Sequence, residues 1–353
     1  MKRKKLPSII YCILILLFTG YVMLDTFLIP SGSVDASEMN TAMFNNSDTG
    51  SAATPSSSSS ERKPSGSREK PSRPDNGSMK DPGFPRTGKG NRGPGGFSSE
   101  SSSDTESKLG DGSYSDYSDD NIKIKISEYE ENGTKVHVAD VTLTSAQYLK
   151  TALANDTYGK NITEGTSTMA EEKKAILAVN GDYYGARESG YVIRNGVIYR
   201  DTGSEDTDVL CIYADGHFEI TDSSKKTAQE LLSENVWQAF SFGPALVENG
   251  EITEGSMDKK GRLTASNPRT AIGMIDNLHY VFVVSDGRTK DSPGLTIQQL
   301  ADFMKKLGVK TAYNLDGGGS STMYYQGEIV NTPTTTGSNV NERKVSDIVY
   351  IGY

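Results

Sequence analysis

Histidine and cysteine, which carry much of the nucleophilic, acid–base and zinc chemistry of proteins, are scarce in this chain. Among 353 residues there are three histidines, two cysteines and one tryptophan. His137, His217 and His279 stand alone on expected strands or beside a turn, with no i,i+4 partner and no Cys nearby. Neither a zinc spacing nor a Ser-His-Asp arrangement is therefore supported. Cys12 and Cys211 lie far apart in unlike surroundings, which argues against a disulfide framework or thiolate metal site and leaves Cys211 as a small core residue. A basic surplus is also missing: the formal net charge is −9. Phosphate backbones demand a basic face, so nucleic acid is not the expected partner. The Gly-Lys-Ser/Thr ending of a Walker loop and the Gly-x-Ser-x-Gly elbow do not occur. Carboxylates, arginines, amides and hydroxyls remain to carry any chemistry.

The chain is organised in blocks. Residues 1–5 form a basic tail, and no charge follows from Leu6 through Leu24. An apolar stretch of that length can span the hydrocarbon core, so 6–29 is expected to be a transmembrane anchor with the basic end in the cytoplasm and everything beyond Asp25 outside. A cleaved signal peptide is the alternative, with Val34-Asp35-Ala36 as its small-residue site. Either reading makes the rest extracytoplasmic. Residues 30–120 are rich in Ser, Gly, Pro and charge, and hold eight of the thirteen prolines, from Pro30 to Pro94. Too few apolar side chains are present to offset the entropy of ordering, so a disordered tether is expected.

One folded domain, 121–353, follows. Asn132-Gly133, Asn195-Gly196, Asp215-Gly216 and Asn249-Gly250 sit between apolar or alternating runs, which is the signature of tight hairpins. Helices are expected from Ser145 to Leu153, Thr166 to Lys174, Thr227 to about Asn235 and Thr296 to Leu307, the last with Ile297, Leu300, Phe303, Met304 and Leu307 on one face. Strands outnumber helices and most neighbours are joined by short turns. The expected fold class is α+β, with a largely antiparallel or mixed sheet and a few flanking helices.

Three of the expected strands end on acidic residues beside glycine. The most pronounced is Asn314-Leu315-Asp316-Gly317-Gly318-Gly319-Ser320-Ser321-Thr322. Glycines tolerate φ > 0, so their N–H groups can converge on an anion, with Asp316 at the lip and Asn314 one pleat earlier. Asn180-Gly181-Asp182 and Ser285-Asp286-Gly287-Arg288 repeat the pattern, and Arg269 and Arg288 bring groups suited to bidentate binding of phosphate or carboxylate. Ordinary turn chemistry would explain any one of these stretches. Their concentration at strand ends suggests an anionic substrate.

Asn314-Leu315-Asp316-Gly317-Gly318-Gly319-Ser320-Ser321-Thr322 resembles a block of the phosphodiester glycosidase family, as do Asp286-Gly287-Arg288, Asn180-Gly181-Asp182-Tyr183-Tyr184, Phe242-Gly243-Pro244-Ala245-Leu246 and Asn267-Pro268-Arg269-Thr270-Ala271. The five blocks keep the family's order across Ile122 to Tyr353, leaving the anchor and tether outside the resemblance. The resemblance implies hydrolysis of a sugar-1-phosphodiester at the anomeric C–O bond; joined to the expected N-terminal span, it suggests action outside the cell on a wall or capsular polymer. Asp316 is then the first choice for the catalytic carboxylate, with Asp182 and Asp286 as second choices. Arg269, Arg288, Asn180, Asn314, Gly317, Gly318, Gly319, Ser320, Ser321 and Thr322 become candidates for binding the substrate and holding the departing phosphate. One of the second-choice carboxylates could instead hold a divalent cation, Ca2+ or Mg2+. Two other readings stay open: a non-catalytic surface protein that binds anionic glycan, and a phospho-sugar transferase in polymer assembly.

Overall fold

The computed structural model describes residues 15, 17–19, 31–35, 39–45, 114–203, 207–257 and 264–353. Most of the span expected over 6–29, and the linker from 46 to 113, lie outside them. Among the described residues no helix is long and apolar enough to cross a membrane.

Every strand pairing among the described residues is antiparallel. The first sheet has eight strands, in the order Glu251–Ile252, Ala245–Glu248, Thr311–Asn314, Arg269–Asp276, His279–Ser285, Thr134–Leu143, Ile122–Glu131 and Tyr117–Ser118. The second runs Glu328–Ile329, Met323–Tyr325, Leu177–Asn180, Asp347–Ile351 and Leu149–Leu153. The third runs Phe218–Asp222, Asp208–Tyr213, Val236–Phe240, Val192–Arg194 and Val197–Arg200.

Local chemistry explains the hairpins. At Asn132-Gly133, Asn195-Gly196 and Asn249-Gly250 both turn residues have positive φ, the geometry whose twist matches that of the flanking strands. Alternation then divides the side chains between two faces. Ile124, Val141, Phe282 and Tyr313 of the first sheet meet Leu177, Val179 and Val349 of the second and Leu210 and Phe240 of the third in one shared core. The opposite face of the first sheet, with Val136, Val138, Val281 and Ala312, is covered by Leu300, Phe303 and Met304 of the helix Ile297–Lys306. Helices Thr166–Glu172 and Ala228–Ser233 cover the outer faces of the second and third sheets in the same way. Helices outside and antiparallel sheets inside make the α+β arrangement expected from the sequence.

One expectation is corrected. Ser145 does cap a helical turn, accepting from the Gln147 N–H, but the turn ends at Tyr148. Leu149–Leu153 is a strand instead, fully paired with Asp347–Ile351. Long-range pairing outcompetes local helix preference there because all five residues are buried. Within the segment expected as tether, the described residues 31–35 and 39–45 make contacts with the domain. Ser31–Asp35 pairs with Thr157–Lys160, the Asn40 N–H donates to the Asn195 carbonyl at 2.9 Å, and Phe44 packs edge-on against Trp237 with ring centroids 4.8 Å apart.

Candidate active site

The site forms where strand ends of the first and second sheets meet. Thr311–Asn314 lies between Ala245–Glu248 and Arg269–Asp276, so its exit is fixed on both sides. The chain then crosses to the second sheet, where the Asp316 N–H donates to the Gly181 carbonyl at 3.1 Å. Asn180 clamps this junction. Its Nδ2 donates to the Asp316 carbonyl at 2.7 Å, and its Oδ1 accepts from Thr270 Oγ1 at 2.8 Å and the Thr322 N–H at 3.3 Å. A fully buried side chain with three such bonds holds the backbone of Asp316 in place and does not itself reach the cleft.

That cleft measures about 1020 Å3. Four arginines line it, Arg187, Arg269, Arg288 and Arg343, with two carboxylates, Asp208 and Asp316, and two aromatic rings, Tyr183 and Phe242. Asp316 Oδ2 receives Arg343 Nη2 at 2.8 Å, and its Oδ1 accepts the Gly317 N–H at 2.9 Å. Arg343 also reaches Ser320 Oγ, through Nε at 2.9 Å and Nη2 at 2.6 Å. Arg269 and Arg288 flank the adjacent turn. Burial, with the like charge of Arg288, pushes Arg269 down to about 10. An anion in this corner would relieve that repulsion. Asn314 lines the cleft too; its Nδ2 donates to the Gly243 carbonyl at 2.8 Å, while its buried Oδ1 has no hydrogen-bond partner.

The three glycines serve packing more than anion binding. Gly317 gives its N–H to Asp316 and Gly318 gives its N–H to the Pro268 carbonyl at 2.8 Å, so these two amides are already used. Gly318 alone of the three has positive φ, at 66°, and a β-carbon there would lie 2.7 Å from Arg288 Nη2. A β-carbon at Gly319 would lie 2.4 Å from Thr335 Oγ1. Side chains at these positions would push the arginine and the neighbouring loop away.

The predicted carboxylates part company. Asp316 lines the cleft. Asp182 is buried beneath it, bound to Arg194 Nη2 at 2.9 Å and to the Ser241 N–H at 3.0 Å. Arg194 is shared with Asp347, whose Oδ2 receives its Nε at 2.9 Å. Asp286 is buried as well. Burial acts to raise its carboxyl, but His137, the Thr332 N–H at 2.7 Å and Asn331 outweigh it and hold the group below its ordinary range. Ser321 and Thr322 are fully buried behind the turn, each hydroxyl oxygen without a partner. Among the candidates, the cleft brings together Asp316, Arg269, Arg288, Asn314, Gly317 and Gly318, while Asn180, Asp182, Asp286, Gly319, Ser320, Ser321 and Thr322 stand behind it. No group of three or more His, Cys, Asp or Glu side chains suited to a metal ion occurs among the described residues.

Three cleft residues escaped the sequence reading, Arg187, Arg343 and Asp208, and Tyr183 entered it only inside a family block, without a role. The two arginines each face an aromatic ring. Arg187 sits 4.6 Å from the Phe242 centroid and Arg343 sits 5.7 Å from the Tyr183 centroid. Tyr183 takes φ 61° and ψ 36°, a left-handed conformation that costs a residue with a β-carbon about 1–2 kcal/mol. Its immediate successor, Tyr184, is buried and stacked on Tyr158.

Residues 173–352 match the family model described as phosphodiester glycosidase. A SPbeta prophage-derived uncharacterized protein, YomE of Bacillus subtilis (strain 168), is 29% identical over 203 residues, covering 56% of this chain and 31% of its own. Human N-acetylglucosamine-1-phosphodiester alpha-N-acetylglucosaminidase is 32% identical over 123 residues, 33% of this chain and 23% of its own. The chain thus spans less than a third of the length of these relatives. The catalytic domain of the zebrafish enzyme of the same name, auto-inhibited by its pro-peptide, superposes with a TM-score of 0.54 at 21% identity, covering 70% of this chain and 86% of that one. That likeness is one of fold. Because the matched segment takes in the strand-end junction, the glycine turn and Arg343 alike, this chain belongs to the phosphodiester glycosidase family.

Proposed function

We propose that this protein hydrolyses sugar-1-phosphodiesters at the anomeric C–O bond, acting outside the cell on an envelope or capsular polymer. The observation that carries the reading is a carboxylate at a strand-end glycine turn, Asp316, set in a cleft lined by four guanidinium groups. Water adds at the anomeric carbon, the C–O bond to phosphate breaks, and the products are a free sugar and a phosphomonoester. A phosphate leaves more readily than a sugar alkoxide, so holding its charge matters more than protonating it. Arg269, Arg288 and Arg343 are placed to do so, with Asp316 as nucleophile or as base for water. The extracellular setting rests on the basic tail followed by the uncharged run from Leu6 to Leu24.

The second reading is a non-catalytic binder of anionic glycan, and the Arg343–Asp316 ion pair favours it by occupying the carboxylate. One assay separates the two, and separates both from a transferase. Full-length protein is incubated with UDP-N-acetylglucosamine and with a simple N-acetylglucosamine-1-phosphodiester, with and without EDTA, beside Asp316→Asn. Hydrolysis is expected to release free sugar, and the variant to lose about a hundredfold or more in kcat. A lengthened acceptor would indicate transfer. Saturable binding without turnover in either protein would leave only the binding role, and EDTA-sensitive turnover would assign a divalent cation.

A further inference from the structure

We propose that Tyr183 is the specificity-determining platform on which the glycosyl ring of the substrate stacks, next to the arginines that take the phosphate. This rests on the sugar-phosphodiester reading above. Tyr183 is among the few large aromatic side chains exposed on the described domain, at 36%, and it lines the cleft. Its left-handed backbone is imposed by its neighbours. On one side, Gly181 donates to the Asp347 carbonyl and Asp182 is locked to Arg194; on the other, the Tyr183 carbonyl accepts the Ala186 N–H at 3.3 Å. Exposure at a strained position is hard to explain by packing, because glycine would fit the backbone with less strain and little core contact would be lost. The position is explained if the ring faces a ligand.

The chemistry of the ligand follows from the ring's surroundings. An aromatic face binds the C–H face of a pyranose through dispersion and exclusion of water. Arg343 lies over the same ring, its guanidinium carbon 5.7 Å from the centroid, and touches Asp316 at 2.8 Å. Sugar platform, carboxylate and guanidinium are therefore joined in one chain of contacts. A ligand with an apolar ring face at one end and an anion at the other matches that sequence of groups, with the anomeric carbon brought towards Asp316. Phosphate without a sugar would use the arginines alone.

The test compares wild type with Tyr183→Phe, Tyr183→Ala and Tyr183→Gly in the full chain, using calorimetric binding of N-acetylglucosamine-1-phosphate and of orthophosphate. Tyr183→Gly guards against misfolding, since glycine suits φ 61° and its melting temperature should not fall. Removal of the ring in the Ala and Gly variants is expected to weaken binding of the sugar phosphate about tenfold or more, and Phe to restore it to within about threefold. Orthophosphate binding should change by less than about twofold throughout. Unchanged sugar-phosphate binding in Tyr183→Gly, equal weakening of both ligands, or no rescue by Phe would overturn the proposal. A wild type that binds the sugar phosphate, yet releases no sugar from any diester, rejects hydrolysis and leaves the platform standing; a wild type that binds neither ligand rejects both.

Discussion

Gly181 has no space for a side chain. A β-carbon there would lie 2.1 Å from Asp347 Oδ1, a buried oxygen, and the Gly181 carbonyl is where the Asp316 N–H is hung. Gly181→Ala is expected to destabilise the fold by about 1–3 kcal/mol through overpacking and to lower turnover along with it. Chemical denaturation and the sugar-release assay check the two effects. At this scale the sequence identified the residues whose position depends on a strand end: Asp316, Asn314, Arg269 and Arg288 all line the cleft. It did not identify Arg343, Arg187 or Asp208, nor a role for Tyr183. Arg343 lies in a polar loop near the C-terminus, 27 residues from the carboxylate that it binds, with no spacing signal to connect them. Nor could sequence separate Asp316 from Asp182 and Asp286, since all three follow an apolar strand and all three are buried; only the packing of remote segments puts Asp316 on the cleft wall.

Elements were legible wherever their cause was local. Thr296 caps the helix Ile297–Lys306 by accepting from the Gln299 N–H, and Gln299 reaches back to the Thr296 N–H, a reciprocal box written in four residues. Thr296→Ala is expected to cost about 1 kcal/mol of stability. Because the helix covers the face of the first sheet away from the shared core, kcat should be unchanged; thermal melting and turnover on the same preparation decide. The Asn-Gly hairpins were legible for the same reason, since the turn residues alone set the register. Leu149–Leu153 was not, because its partner, Asp347–Ile351, lies almost two hundred residues away and only burial between neighbouring strands makes it extended.

At the scale of the packed sheets, a buried ion cluster joins the second and third. Arg194, on the third, binds Asp347 on the second and Asp182 just past the second sheet's strand Leu177–Asn180. One cation thus faces two carboxylates. Burial, with the charge of Asp182 adding to it, outweighs the attraction of Arg194 and raises Asp347 to about 7. Between the ordinary aspartate value and that raised one, the folded chain keeps a proton that the unfolded chain has lost. Stability from this group is therefore expected to fall as pH rises from about 4 towards 7, and to level off above it. Asp347→Asn should flatten that slope, measured as urea midpoints from pH 5 to pH 8; an unaltered slope would place the effect elsewhere. Composition, turn residues, alternation and helix caps, which act within a few residues of chain, determined that this protein is an antiparallel α+β domain with carboxylates and arginines at its strand ends. Which carboxylate lines the cleft, which arginines line it with that group and which aromatic ring stands exposed were decided only when three sheets packed together, because burial and distance between remote segments are properties of the assembled fold.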